Sequence, residues 1–269
     1  MTAVLGTPLW IERRAVPGAV RLGMGARTTL PAGDAFLIAG VAGGLARSVR
    51  AGDVVVAPDA SAPLLAGTLR RMSLTVHVGP IHTSDHVVTG AERERLARTG
   101  ALAVDMETSL LRSGAGDRPF AAVRVITDGV GAPLWSPGTL LRSVRALKNL
   151  RTAAPALRQW AQAAGGREVV LAAPESFRAA AQECDLVLVV GSGDSSSARR
   201  LVEVAERAGV EAHLVGDAGD VELAWLARAR TVGVGTSAPP HLVDHVVAAL
   251  AGLGPVTVRV PFTLSKEVS

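Results

Sequence analysis

The sequence predicts an α/β protein built in two parts, on three observations. Short apolar runs of strand length alternate with helical patterns from end to end. At roughly 150 residues per domain, 269 residues correspond to about two domains. The composition, 48% apolar and 19% charged, is that of a chain able to bury a core. Aromatic residues are only 3% of the chain and tyrosine is absent, so Ala, Val and Leu must fill that core.

Strands are predicted in the first half over 36–39, 54–57, 75–78, 101–104 and 121–126. A long helical pattern follows over 140–164, with Leu141, Val144, Leu147 and Leu150 on one face and Arg142, Arg145, Lys148 and Arg151 interleaved. Such a helix either closes a domain with a solvated basic face or lies on an anionic surface. Ala163-Ala-Gly-Gly-Arg167 ends it and marks a domain boundary, giving domains over 1–166 and 167–269. The second half predicts strands at 169–172, 185–190, 212–215, 231–234 and 256–260, with helices beginning near Glu175, Ser195, Val221 and Pro239. Strand–helix pairs with connections this short imply a doubly wound parallel sheet.

Several classes are excluded. One cysteine, Cys184, forms no internal disulfide and cannot supply a thiolate-held iron–sulfur cluster or structural zinc site. No cofactor is therefore expected. The first nine residues lack the basic-then-apolar pattern of a signal peptide, and no apolar stretch reaches about 18 residues, so a cytoplasmic protein without a membrane span is expected. The net charge of +4 rests almost wholly on arginine and only one stretch, the helical pattern above, is basic enough to count as clustered, so nucleic acid is not an expected partner.

Ligands of open α/β sheets bind beyond the carboxyl ends of strands. Asp128 closes one such strand, Ala121-Ala-Val-Arg-Val-Ile-Thr-Asp128. If the strand persists to its end, Arg124, Ile126 and Asp128 point to one side. An arginine in so apolar a strand requires an anionic partner or an anionic ligand. Glu107 marks another strand-to-helix passage; Asp105 and Thr127 read equally well as helix caps, and Asp128 as a turn residue. His82 and His86 are four apart, but they flank a loop and no third metal ligand accompanies them, so no metal is expected.

Phe36-Leu-Ile-Ala-Gly-Val-Ala-Gly-Gly-Leu45 followed by Gly52-Asp-Val-Val-Val56, then Val104-Asp-Met-Glu107 and Arg124-Val-Ile-Thr-Asp128, resembles the nucleoside phosphorylase and methylthioadenosine/S-adenosylhomocysteine nucleosidase family in motif order. The resemblance implies a three-layer domain that cleaves the N-glycosidic bond of a small-molecule purine nucleoside. It implies Asp128 as general acid at the departing base and Glu12 as the group activating water. It also implies Glu107 on the ribose hydroxyls with Met106 packed beside it, Arg124 placing the nucleophile, and Gly43 and Gly44 letting the backbone approach the ligand. The family's base-stacking aromatic is replaced here by Val87. Subunit neighbours complete the site in the resembled nucleosidases, which leaves a homodimer open.

In the second half, Asp185-Leu-Val-Leu-Val-Val-Gly-Ser-Gly-Asp-Ser-Ser-Ser197 is a strand, a glycine turn and a serine-rich helix start. Serines at a helix N-terminus either cap it or bind phosphate. This stretch, with Thr236-Ser-Ala-Pro239, resembles the last lobe of hydroxymethylbutenyl diphosphate reductase, an iron–sulfur enzyme. The match implies Ser195, Ser196, Ser197 and Ser237 as contacts to an isoprenoid diphosphate. The position of that family's opening cysteine is Arg178, and most of its first two lobes have no counterpart, so the reductase reaction is not expected. The whole chain resembles an actinobacterial-type fusion of the two families with an internal deletion.

Overall fold

The computed structural model of the protein describes residues 1–129, 137–173, 176–236 and 238–260. The chain opens with β1 (Ala3–Thr7), α1 (Trp10–Ala15), β2 (Val20–Arg21), β3 (Ala35–Gly44) and β4 (Val54–Val56). It continues through α2 (Ala62–Arg71), β5 (Val76–Val78), β6 (Ile81–Thr83), α3 (Gly90–Ala97), β7 (Ala103–Asp105), α4 (Thr108–Ala115) and β8 (Phe120–Asp128). The long helix α5 (Pro137–Ala163) leads to β9 (Arg167–Ala172), α6 (Phe177–Gln182), β10 (Leu186–Val190) and α7 (Ser196–Arg207). The described chain closes with β11 (Glu211–Val215), α8 (Leu223–Leu226), β12 (Thr231–Thr236), α9 (Pro240–Ala251) and β13 (Val256–Arg259).

Two sheets result. The first runs β2-β1-β3-β8-β4-β5, with β7 pairing with β3 and β6 with β7. It is parallel except where β4 meets β8 and β7 meets β3. Its central strands β3 and β8 are covered on both faces, which explains their near-continuous apolar sequence. Leu37, Ala39, Val123 and Val125 pack toward α5, while Phe36, Ile38, Phe120 and Ala122 pack with Leu111 and Ala115 of α4. Helix, sheet and helix thus form three layers. The second sheet, β11-β10-β12-β9-β13, is parallel throughout. Its outer face packs on α6 and α7.

The core is continuous between the sheets. Side chains of α2 and α5 share one apolar cluster with α8, α9 and the inner face of the second sheet. Trp160 of α5 is fully buried there, and its indole N–H donates to Ser61 Oγ at 2.9 Å, which satisfies its polar edge. The buried stripe of α5 is Ala146, Leu150, Ala153, Leu157 and Trp160, at helical spacing. The expected stripe holds only in its later half: Leu141 is 73% and Val144 57% exposed. The segment predicted as a boundary is tied down by hydrogen bonds. Gly165 N–H donates to Leu253 O and Arg167 N–H to Pro255 O, and buried Arg167 donates to Ala163 O and Leu250 O, where α5 and α9 end. A cation suits two converging helix C-termini.

Among the described residues no helix is long and apolar enough to cross a membrane.

Candidate active site

Where β3, β7 and β8 end, the first sheet opens into a cavity of about 240 Å³. That lies just below the usual size of small-molecule sites, about 300–1,000 Å³. Glu12, Gly43, Arg93, Asp105, Met106, Glu107, Thr127 and Asp128 line it, with His86 and Val87 among its walls. The structure therefore brings together residues that lie more than a hundred positions apart.

One side of the cavity is built on a buried arginine. Arg124 is fully buried in mid-strand and lies behind the wall rather than on it. Its Nε donates to Asp105 Oδ2 at 2.6 Å, its Nη2 to Thr108 Oγ1 at 3.1 Å, and Nη2 lies 3.8 Å from Glu107 Oε2. The anionic partner that the sequence demands for this arginine is thus internal. Asp105 also accepts from Thr83 Oγ1 at 2.9 Å and from the N–H of Thr108 at 3.2 Å, so it caps α4 and holds Arg124 at once.

Glu12, on α1, is 1% exposed. Its Oε2 accepts from Leu9 N–H and its Oε1 from Val41 N–H, each at 2.7 Å. Gly40 of β3 is required beneath it: a Cβ there would stand 2.7 Å from Glu12 Oε1 and 2.8 Å from Arg124 Nη1. Glu107 Oε1 accepts from the N–H of Gly25, whose φ of +56° is a conformation that favours glycine. Burial pushes the carboxyls of Glu12 and Glu107 above their ordinary values, and Arg124 with the backbone donors offsets only part of this. Burial pushes Asp105 up as well, but Arg124 and the Thr108 and Thr83 hydroxyls outweigh it and hold Asp105 low. The cluster therefore contains both a firm carboxylate and two carboxyls disposed to take up protons.

Asp128 lines the same cavity with partners of its own. The register between β3 and β8 slips between Ala42 and Gly43, so that Gly43 pairs with Asp128 and Thr127 is the extra residue. Such a bulge re-aims side chains beside a site. Asp128 Oδ1 accepts from Thr127 Oγ1 at 2.8 Å, and Oδ2 accepts from Arg93 Nη1. Gly43 lines the cavity, whereas Gly44 lies off it with its carbonyl accepting from Arg93. At both glycines a Cβ would be crowded by protein, by Arg93 Nη2 at 3.0 Å for Gly43 and by Asp128 O at 3.1 Å for Gly44.

Arg93 is the functional candidate that sequence reasoning missed. It lies in Glu92-Arg-Glu-Arg95, a run that reads as a solvated helix face, and only burial sets it apart. The ring nitrogens of His86 meet Asp85 at 2.6 Å and Glu92 at 2.7 Å.

In the second half, Ser195 caps α7, its Oγ accepting from Ala198 N–H at 3.2 Å and lying 3.0 Å from Ser197 Oγ. Ser196 and Ser197 are exposed beside it. Ser237 lies outside the described residues. An iron–sulfur cluster, implied for the resembled reductase, does not fit this chain. Cys184 is its only cysteine; it is buried, its Sγ donates to Ala180 O, and burial pushes the thiol up to about 11.

Comparison with known proteins finds a family match, curated relatives and similar solved structures. Residues 173–251 match a family model described as LytB protein. Over 96 residues, 32% of this chain and 29% of the relative, the chain is 51% identical to 4-hydroxy-3-methylbut-2-enyl diphosphate reductase 2 of Mycobacterium bovis. Over 97 residues, 35% of this chain and 30% of the relative, it is 46% identical to the reductase of Bordetella pertussis. The chain thus spans less than a third of the length of these curated relatives. Among solved structures, the 5′-methylthioadenosine/S-adenosylhomocysteine nucleosidase of Helicobacter pylori is similar at TM-score 0.48 and 15% identity, over 58% of this chain and 95% of that one. The Neisseria meningitidis nucleosidase is similar at 0.46 and 16%, over 59% and 99%.

Proposed function

We propose that the first half is a hydrolytic purine nucleosidase. The observation that carries this reading is that one cavity is lined both by the Glu12–Glu107–Asp105 cluster around Arg124 and by the carboxyl of Asp128, which has a separate partner in Arg93. Cleaving an N-glycosidic bond needs help at both ends, a proton for the departing base and stabilisation of the electron-poor sugar. Asp128 serves the base, protonating it as the C1′–N9 electron pair leaves with it. Glu107 serves the ribose hydroxyls, with Met106 beside it. Glu12, whose burial raises its affinity for a proton, takes one from the attacking water. Arg124 acts through the carboxylates it holds.

The charge of the cavity favours water over phosphate as nucleophile. Glu12, Asp105, Glu107 and Asp128 all line it, while Arg124 lies behind the wall and Arg93 and His86 are engaged by carboxylates. A phosphate dianion would meet carboxylates with no uncommitted cation among the described residues of the wall. With methylthioadenosine, S-adenosylhomocysteine or inosine, the protein is expected to release free base at the same rate with and without phosphate. Glu12→Gln is expected to slow that release by about 10²-fold or more. Release that needs phosphate, or a Glu12→Gln chain as fast as the wild type, contradicts the reading. A homodimer would cover the exposed Leu140, Leu141 and Val144 of α5 and Trp10 and Ile11 of α1, two helices in contact.

The second half supports a separate reading, a diphosphate-binding lobe without reductase chemistry. The exposed Ser196 and Ser197 at the start of α7, a 12-residue helix, present hydroxyls at a helix N-terminus. Titration calorimetry with dimethylallyl diphosphate is expected to show binding that Ser196→Ala weakens about tenfold, the loss of one hydrogen bond to a charged group. Ser196→Ala leaves the Ser195 cap in place, so unchanged affinity would remove the site.

A further inference from the structure

We propose that Arg93 is the positioning residue for the leaving-group side of the site: it holds Asp128 as a proton donor and matters only when the departing group needs a proton. This rests on the nucleosidase reading above.

Three observations lead there. First, α3 is a charged helix whose Glu94 and Arg95 face solvent, yet Arg93 is buried at 6% exposure. Leu96, one turn on, anchors the helix in a small core with Leu45, Val88, Ala101 and Val104, which aims Arg93 inward. A buried guanidinium is costly unless its donors are used. Second, they are used on the site. Nε and Nη2 donate to Gly44 O at 3.0 and 2.8 Å, Nη2 donates to Asp128 O at 3.0 Å, and Nη1 donates to Asp128 Oδ2 at 2.5 Å. One side chain therefore ties together the ends of β3 and β8 where their register slips. Third, the hydroxyl of Thr127 has two acceptors within reach, Asp128 Oδ1 at 2.8 Å and Ala42 O at 3.2 Å. It can donate to the carboxylate, or turn to Ala42 when Oδ1 carries a proton.

These contacts define two states of Asp128. In the structure Oδ1 lies against the Thr127 hydroxyl and Oδ2 against Arg93 Nη1. With a proton on Oδ1, Thr127 turns to Ala42 and Arg93 keeps Oδ2 in place. As the C1′–N9 bond breaks, its electron pair goes to the base and the Oδ1 proton moves to a base nitrogen. The carboxylate left behind is the state Arg93 and Thr127 stabilise, so their contribution grows as charge develops. Solvent water returns the proton after the base departs. The groups facing Asp128 are Arg93 from α3 and Thr127 from β8; Glu12, Glu107 and His86 line the same cavity.

The test compares two leaving groups. Methylthioadenosine needs a proton on its base, whereas 4-nitrophenyl riboside releases a stable anion. Arg93→Met is expected to lower kcat on methylthioadenosine by about 10²-fold, with little change in KM, and to leave the nitrophenyl rate nearly unchanged. Arg93→Lys, which keeps a cation beside Asp128, is expected to recover part of the loss. The nitrophenyl rate itself reports an intact site. Should Arg93→Met not fold, Arg93→Lys carries the comparison, its methylthioadenosine rate falling by more than its nitrophenyl rate. Equal losses on both substrates, or no loss on either, would overturn the proposal and leave the nucleosidase reading standing. A wild-type protein that releases nothing from either substrate overturns both.

Discussion

Arg124→Met is expected to destabilise the protein by about 3–5 kcal/mol, the usual cost of removing one member of a buried ion pair, and to abolish base release. The arginine is fully buried and is the shared partner of Asp105 and Glu107, with Glu12 also in its field. Methionine fills the volume without offsetting any of those charges. In a chain of this length the loss corresponds to a fall in Tm of roughly 10 °C. Thermal unfolding as a function of pH tests the cause. Burial already raises Glu12 and Glu107; without the guanidinium it raises Asp105 too and the other two further. The folded variant then binds more protons than its unfolded chain, so its stability falls as pH rises through those raised values. In the wild type, Asp105 is held low, so its contribution is present above its unfolded value and lost on acidification. The gap between wild type and variant is therefore expected to narrow from pH 7 toward about pH 5. A gap independent of pH would mean that lost packing, rather than unpaired charge, causes the instability. Arg124→Lys, which keeps the charge without the planar fork, is expected to lose less.

Asp128→Asn is expected to lower kcat for purine release by about 10²–10⁴-fold, the range of a positioned general acid. The amide oxygen can still accept from Arg93 Nη1, so the fold should tolerate the change better than it tolerates loss of Arg124. Asparagine cannot give up a carboxyl proton. A double variant with Arg93→Met adds a second reading. If Arg93 acts through Asp128, the two losses are expected to be far from additive. Purine release by Asp128→Asn at the wild-type rate would remove Asp128 from the chemistry.

The legible parts of the fold share a physical cause. Strands β3, β8, β9, β10 and β12 are wholly or largely buried, so burial itself writes apolar runs into the sequence. Strands β2 and β6 leave no such signal: β2 has two exposed residues and β6 has three half-buried ones, including a histidine. The face of α5 is a related case. Leu141 and Val144 match the helical period as well as Leu150 does, but nothing among the described residues covers them. Periodicity tells which residues share a face, not how much of that face is packed.

The site divides in the same way. Asp128 and Glu107 were visible because they sit at a strand end and a strand-to-helix passage, whereas Glu12, inside α1, was marked only by the family resemblance. Arg93 left no pattern, since its partner Asp128 is 35 residues away and its neighbours are ordinary surface charges.

The sequence by itself determined that this is an α/β chain in two parts, and that a single cysteine cannot hold a thiolate-bound cluster. Both follow from residue type and order alone. Only the tertiary structure decided which charges face which. Arg124 lies behind the cavity wall with its carboxylates on it, and Arg93 comes from another helix to hold Asp128. The physical reason is that a buried charge interacts over a few ångströms in a medium of low dielectric, so its role is set by distances in space.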